Sequence, residues 1–134
     1  MITRLYLVRH GATQHSAEDR FAGSAPVELS DEGRLQAERL AQRLADDHLR
    51  AIYCSSLSRT VETAQIIARP HGLTPVAYDG LREINHGHWD GLTRKEVETR
   101  FPEEYAAWEA DPFTFAPEHG ESGVSVLARA LPVI

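Results

Sequence analysis

Apolar residues along the chain fall into short runs separated by stretches with helical spacing. Ile2 to Val8 reads as a short buried strand that ends abruptly in Arg9-His10-Gly11-Ala12-Thr13. Residues 11–29 are small and polar for the most part and predict a loop. Ser30 is placed to cap a helix, and Asp31 and Glu32 sit in its first turn, where the positive end of the helix dipole favours carboxylates. Ala37, Leu40, Ala41 and Leu44 follow at helical spacing and predict a helix over about 31–47.

Ala51 to Cys54 is a second short strand, broken by Ser55-Ser56. A second helix is predicted from about 58 to 68, with Val61, Ala64 and Ile67 or Ala68 facing inward, and Pro70 and Gly72 stop it. Pro75 to Tyr78 is a third strand and leads into Leu81-Arg82-Glu83-Ile84. Thr93 and Glu96 form a capping-box signal for a third helix. Pro102 opens a fourth through Tyr105 and Trp108 that ends before Pro112, and a last helical stretch begins near Glu121. Strands alternating with helices predict an α/β fold with a mostly parallel sheet flanked by helices. Three short strands make that sheet thin.

Composition narrows the function. The 134 residues fit one domain, and 42% apolar with 25% charged residues is ordinary for a globular protein. One cysteine, Cys54, cannot form an internal disulfide or a cysteine metal cluster, and suits a reducing compartment. The apolar run from Leu5 to Val8 is too short for a signal core or a membrane span, so the cytoplasm is the expected location, with no membrane partner. A net charge of −6 without a basic stripe argues against nucleic acid. Binding a phosphate ester would then need a local cluster of arginines and backbone amides.

Four pieces of sequence carry candidate chemistry. His10 follows a strand and precedes a glycine that lets backbone approach a ligand; in α/β folds ligands bind beyond the carboxyl ends of strands. Arg59 falls at the start of a helix, where the dipole opposes a cation unless an anion sits between them. Glu83, just past a strand and close to His86 and His88, is a candidate general acid. Gly120-Glu121-Ser122 would present hydroxyl and amide donors at a helix start. Each piece alone also reads blandly, as a polar strand end, a surface arginine or a solvated carboxylate.

Together and in this order, the pieces resemble the histidine phosphatase superfamily, in its phosphoglycerate-mutase-like branch, from Leu5 to about Pro132. The string Arg82 to Gly91 is most similar to small bacterial phosphatases of that family that act on α-ribazole phosphate, phosphoserine or mixed esters. The resemblance implies a three-layer sandwich and a phosphomonoester hydrolase acting on a small phosphorylated metabolite. His10 would be the nucleophile that forms a phosphohistidine, with Arg9 and Arg59 clamping the phosphate oxygens and Glu83 protonating the leaving alcohol. It implies no metal and no other cofactor. The stretch between Glu83 and Gly120, a helical cap at about 85–120, is short for a glycolytic mutase and points to a phosphatase. Trp89, Tyr105, Trp108 and Phe113 would pack the cap helices against the domain.

The sequence departs from the family at three places. Ser16 stands where the family carries a phosphate-binding asparagine. Gly23-Ser24-Ala25 matches only partly a loop that often holds an aspartate, which leaves Gly23 to offer its amide. The hydrophobic-Ser-His-Gly string that bears a second catalytic histidine is absent, and His119 is no substitute. A chain cut short of its C-terminal strands is the expectation, against a natural fragment completed by another chain or a phosphate-binding module without turnover. The remaining alternatives are phosphoglycerate-mutase-type transfer and a metallohydrolase built on His86 and His88, with Glu83 and Asp90 nearby. A homo-oligomer stays open.

Overall fold

The structure, a computed structural model, describes residues 1–134. Helices dominate it. A one-turn helix α1 (Gln14–Ala17) is followed by α2 (Asp31–Leu44), strand β1 (Tyr53–Cys54) and α3 (Ser58–Ala68). Strand β2 (Val76–Ala77), α4 (Arg94–Arg100), α5 (Pro102–Ala110) and α6 (Gly123–Ala130) complete the order. The sheet is one parallel pair, with Tyr53 opposite Val76 and Cys54 opposite Ala77.

Local signals explain the helix starts. The Ser30 side chain accepts from the Gly33 amide, and the Ser122 hydroxyl accepts from the Ser125 amide. Thr93 and Glu96 close a reciprocal capping box ahead of α4. Pro70 and Gly72 end α3 in a 3₁₀ turn, with Gly72 at φ 62°. The loop expected over 11–29 contains α1, because Thr13 and Ser16 form a capping box that the sequence reading did not register.

Two apolar clusters hold the molecule together. One packs α2 on α3 through Ala37, Ala41, Leu44, Ile66 and Ile67. The other gathers Phe21, Trp89 and Val97, with Tyr105, Trp108 and Phe115 against them. Trp89 is fully buried, within 5.4–5.9 Å (ring centroids) of Phe21, Trp108 and Phe115. The expected packing role thus holds for Trp89, Tyr105 and Trp108. Phe115 takes the place predicted for Phe113, which is half exposed.

The predicted buried strand over Ile2–Val8 is a correction. Residues 1–10 form no backbone–backbone hydrogen bond, and Ile2, Leu5 and Leu7 lie exposed. A strand is stable only when a neighbour pairs its amides and covers its faces, and none lies beside this segment. Apolar content alone cannot supply that partner. No helix is long and apolar enough to cross a membrane.

Candidate active site

The loop that carries His10 is anchored backbone to backbone on the first turn of α2. A Cβ on Gly11 would meet the Gly33 carbonyl oxygen at 2.3 Å, and one on Gly33 would meet the Ala12 oxygen at 2.0 Å. Only glycine at both positions allows that approach. The Ala12 carbonyl accepts from the Ser30 amide at 2.9 Å and hydroxyl at 3.1 Å, and the Ala12 amide donates to Gln36 at 2.9 Å. The Gly11 amide donates to the buried Thr63 hydroxyl of α3 at 3.2 Å.

His10 sits half-buried at the edge of this anchor. Its Nδ1 lies 2.7 Å from the Gly11 carbonyl oxygen. A carbonyl can only accept, so Nδ1 carries the proton and Nε2 keeps its lone pair. Burial pushes the imidazole pKa below its ordinary value; the Gly11 bond opposes this, the Arg59 and Arg9 charges add to it, and Glu83 opposes it weakly. The ring is therefore held with Nδ1 engaged by backbone and the Nε2 lone pair available.

Two hollows meet at this histidine. One, of about 400 Å³, is lined by Arg9, His10, Thr60, Arg82, Glu83 and Val126 among others. The second, of about 320 Å³, is lined by Arg9, His10, Gly11, Ala12, Ser16 and Gln36. Arg9, His10 and Glu83, read from separate parts of the sequence, thus face one space. Glu83 is exposed, and its Oε1 accepts from the Ile84 amide at 3.1 Å.

Arg59 is placed differently from its expected clamp position. It is buried, and its guanidinium turns back to donate to the Ala25 carbonyl at 2.9 Å and to the Gly23 carbonyl. Its Nε has no partner, and it lines neither hollow. Burial lowers its pKa, while Glu83 and Asp90 draw it back up. Gly23 serves this loop through its carbonyl. It sits at φ 47°, and a Cβ there would meet an Asp90 carboxylate oxygen at 2.5 Å. The Ser16 hydroxyl faces the smaller hollow but is engaged with Thr13, accepting from its amide at 2.7 Å and donating to its carbonyl at 2.9 Å.

Asp90, read from the sequence only as a ligand-type neighbour of His86 and His88, is half-buried. One carboxylate oxygen is buried without a hydrogen-bond partner, and burial raises its pKa to about 6 against the pull of the His86 amide and Arg59. Arg82 was missed, although its neighbour Glu83 was singled out; it lines the larger hollow and its Nε is unpartnered.

The metallohydrolase alternative finds no site. His88 Nε2 lies 2.7 Å from Glu104, which also accepts from Trp89 Nε1 at 2.9 Å, and His86 packs edge-on against Phe21. No group of three or more His, Cys, Asp or Glu side chains comes together. His119 is exposed beside Glu118. Ser122 is occupied as a helix cap, and Glu121 pairs with Arg129.

Comparison with known proteins gives the same direction. Residues 5–134 match the histidine phosphatase superfamily (branch 1). Phosphoserine phosphatase 1 of Hydrogenobacter thermophilus is 38% identical over 128 residues, covering 96% of this chain and 61% of that protein. Glucosyl-3-phosphoglycerate phosphatase of Mycolicibacterium vanbaalenii is 39% identical over 134 residues, covering 99% of this chain and 59% of that protein. Among solved structures, a mycobacterial glucosyl-3-phosphoglycerate phosphatase complexed with VO3 superposes with a TM-score of 0.86 at 36% identity, over 92% of this chain and 61% of the other. The α-ribazole phosphatase from Shigella flexneri gives 0.86 at 28% identity, over 94% of this chain and 62% of the other. The chain spans about three fifths of the length of the curated relatives it matches. With the glycine-anchored histidine, Glu83 lining the same hollow and a match along nearly all its length, this chain belongs to the histidine phosphatase superfamily.

Proposed function

We propose that the complete protein hydrolyses the phosphomonoester of a small metabolite through a phosphohistidine on His10, without a metal. The observation that carries this reading is the Nδ1 contact to the Gly11 carbonyl, which directs the Nε2 lone pair outward. Nε2 attacks phosphorus, the ester P–O bond breaks, and the Glu83 carboxyl transfers its proton to the departing alkoxide. Glu83 then takes a proton from a water that attacks phosphorus, the N–P bond breaks with its electron pair returning to Nε2, and inorganic phosphate leaves.

Arg9 stands on both hollows and pairs with phosphate oxygens. Arg59 adds its charge from behind the loop at 23–25, exchanging a carbonyl partner for a phosphate oxygen when substrate arrives. Ser16 and Gly23 act at the rim of the phosphate site. Electrostatic stabilisation supplies most of the rate, and proton transfer by Glu83 contributes roughly 10²–10⁴-fold. The second histidine implied by the family pattern is not among these 134 residues, so the activity is assigned to the whole protein.

Phosphatase activity is favoured over mutase by the short segment between Glu83 and Gly120, read as a cap over the site, and by the relatives' phosphatase names. The single buried cysteine suits a cytoplasmic enzyme, and the net charge of −6 disfavours nucleic acid as a partner. The test is hydrolysis of p-nitrophenyl phosphate by the complete protein in excess chelator. Activity is expected to persist, with an acid-labile phosphoenzyme on His10. Full activity in His10→Ala, or loss of activity to the chelator, overturns the proposal.

A further inference from the structure

We propose that Arg129, together with Glu121, is a positioning residue that aims the Glu83 carboxylate at the leaving oxygen. The inference rests on the reading of Glu83 as proton donor. Arg129 lies in the last turn of α6 and its side chain is largely shielded. Its Nη1 donates to the Gly80 carbonyl at 2.9 Å, and its Nη2 donates to the Glu83 carbonyl at 3.1 Å. Nε and Nη2 also donate to the two Glu121 carboxylate oxygens, both at 2.9 Å.

Glu121 completes the clamp beyond the catalytic position. Its Oε2 accepts from the Asn85 amide at 2.9 Å, and its own amide donates to the Asn85 carbonyl at 2.8 Å. The pair therefore grips backbone groups at positions 80, 83 and 85 around Glu83. Gly80 makes the approach sterically feasible, because a Cβ there would meet the Arg129 carbonyl oxygen at 2.5 Å.

The link to the carboxylate runs through one peptide plane. The Glu83 carbonyl and the Ile84 amide belong to the same planar unit and point in opposite directions. Arg129 holds the carbonyl end, and the amide end donates to Glu83 Oε1 at 3.1 Å. Fixing the first therefore sets the direction of the second. An exposed carboxylate without this restraint would rotate among its rotamers, and geometric misplacement of about 1 Å can cost a catalytic group about 10²-fold.

The test measures kcat and KM of the complete protein on phosphoserine, whose alkoxide needs a proton to leave, and on 2,4-dinitrophenyl phosphate, whose phenolate does not. Arg129→Ala is expected to lower kcat on phosphoserine about 10–100-fold, to change kcat on the aryl ester by less than about threefold, and to leave both KM values near wild type. Glu83→Gln is expected to show the same selectivity with a larger loss. The double variant is expected to be no slower on phosphoserine than Glu83→Gln alone, because the two act through one step. Should Arg129→Ala fail to fold, Arg129→Lys keeps a charge beside Glu121 but cannot bridge the Gly80 and Glu83 carbonyls together with Glu121, and it is expected to give the same selective loss.

Selective loss in Glu83→Gln combined with an equal loss on both esters in the foldable Arg129 variant overturns this inference alone. An equal loss on both esters in Glu83→Gln overturns the proton-donor reading and takes the inference with it.

Discussion

Replacing Asp90 with asparagine is expected to stabilise the protein at neutral pH, although it removes a charge near Arg59. The half-buried carboxylate follows the 3₁₀ turn Gly87–Trp89 with one oxygen that finds no donor. Burial raises its pKa from 3.8 to about 6, the His86 amide and Arg59 opposing. Because the folded-state value lies above the unfolded one, the folded protein binds the proton more tightly between those pH values. The stabilisation by the protonated form is complete below the unfolded pKa and is lost as pH rises through about 6. At neutral pH the ionised side chain thus costs stability. A shift of about 2 pKa units would correspond to about 3 kcal/mol at full burial. Solvent screening of a half-buried group reduces this to about 1–2 kcal/mol. Urea unfolding of Asp90→Asn and wild type, followed by tryptophan fluorescence from pH 4 to 8, measures the difference directly. The variant is expected to gain about 1–2 kcal/mol at pH 7.5, with the gain vanishing toward pH 4. A benefit that does not change with pH, or a variant less stable at pH 7.5, refutes the reasoning.

Two further substitutions probe the anchor and the aromatic cluster. Gly33→Ala would ordinarily strengthen a helix by about 1 kcal/mol. Here the added Cβ meets the Ala12 oxygen at 2.0 Å, so a net loss of about 1–3 kcal/mol in urea unfolding is expected, with a fall in the activity proposed for the complete protein as the His10 loop is displaced. A more stable Gly33→Ala protein with full activity would show that the loop does not rest on α2. Trp89→Ala is expected to cost about 3–5 kcal/mol, since the ring is fully buried. Trp89→Phe, which keeps an aromatic ring but loses part of the buried indole and its bond to Glu104, is expected to cost less, because most of the ring packing remains and His88 still contacts that carboxylate; equal losses in the two variants would contradict the packing argument.

Much of the helical framework was legible locally. The Ser30 cap, the Thr93–Glu96 box and the stop at Pro70-Gly72 each act within a few residues, and all appear where the sequence predicts them. Helix α3 spans Ser58–Ala68 as its apolar spacing implies, although Thr63 and Ile66 are buried while Val61 is only partly covered. The one-turn α1 was missed because its capping box uses serine rather than glutamate at the third helical position. For the site, the order of His10, Arg59 and Glu83 along the chain was enough to suggest a phosphate pocket. His10 and Glu83 do line one hollow with Arg9.

By itself, then, the sequence determined the family pattern, the starts of most helices and the identity of the nucleophile and acid candidates; α1 was missed, and α2 ends at Leu44 rather than near residue 47. These depend on residue type and short-range spacing, which the linear string records completely. Only the tertiary structure decided that residues 1–10 lie unpaired, since strand formation depends on a neighbour the segment cannot supply. It also decided that Arg59 faces the carbonyls of Gly23 and Ala25, that Asp90 is left with an unpartnered oxygen, and that Arg129 reaches back to the Glu83 carbonyl. An arginine's long side chain has many rotamers, and its partner is chosen by which carbonyls and carboxylates packing brings within reach. Residue type says that a guanidinium will be satisfied; the fold says by what.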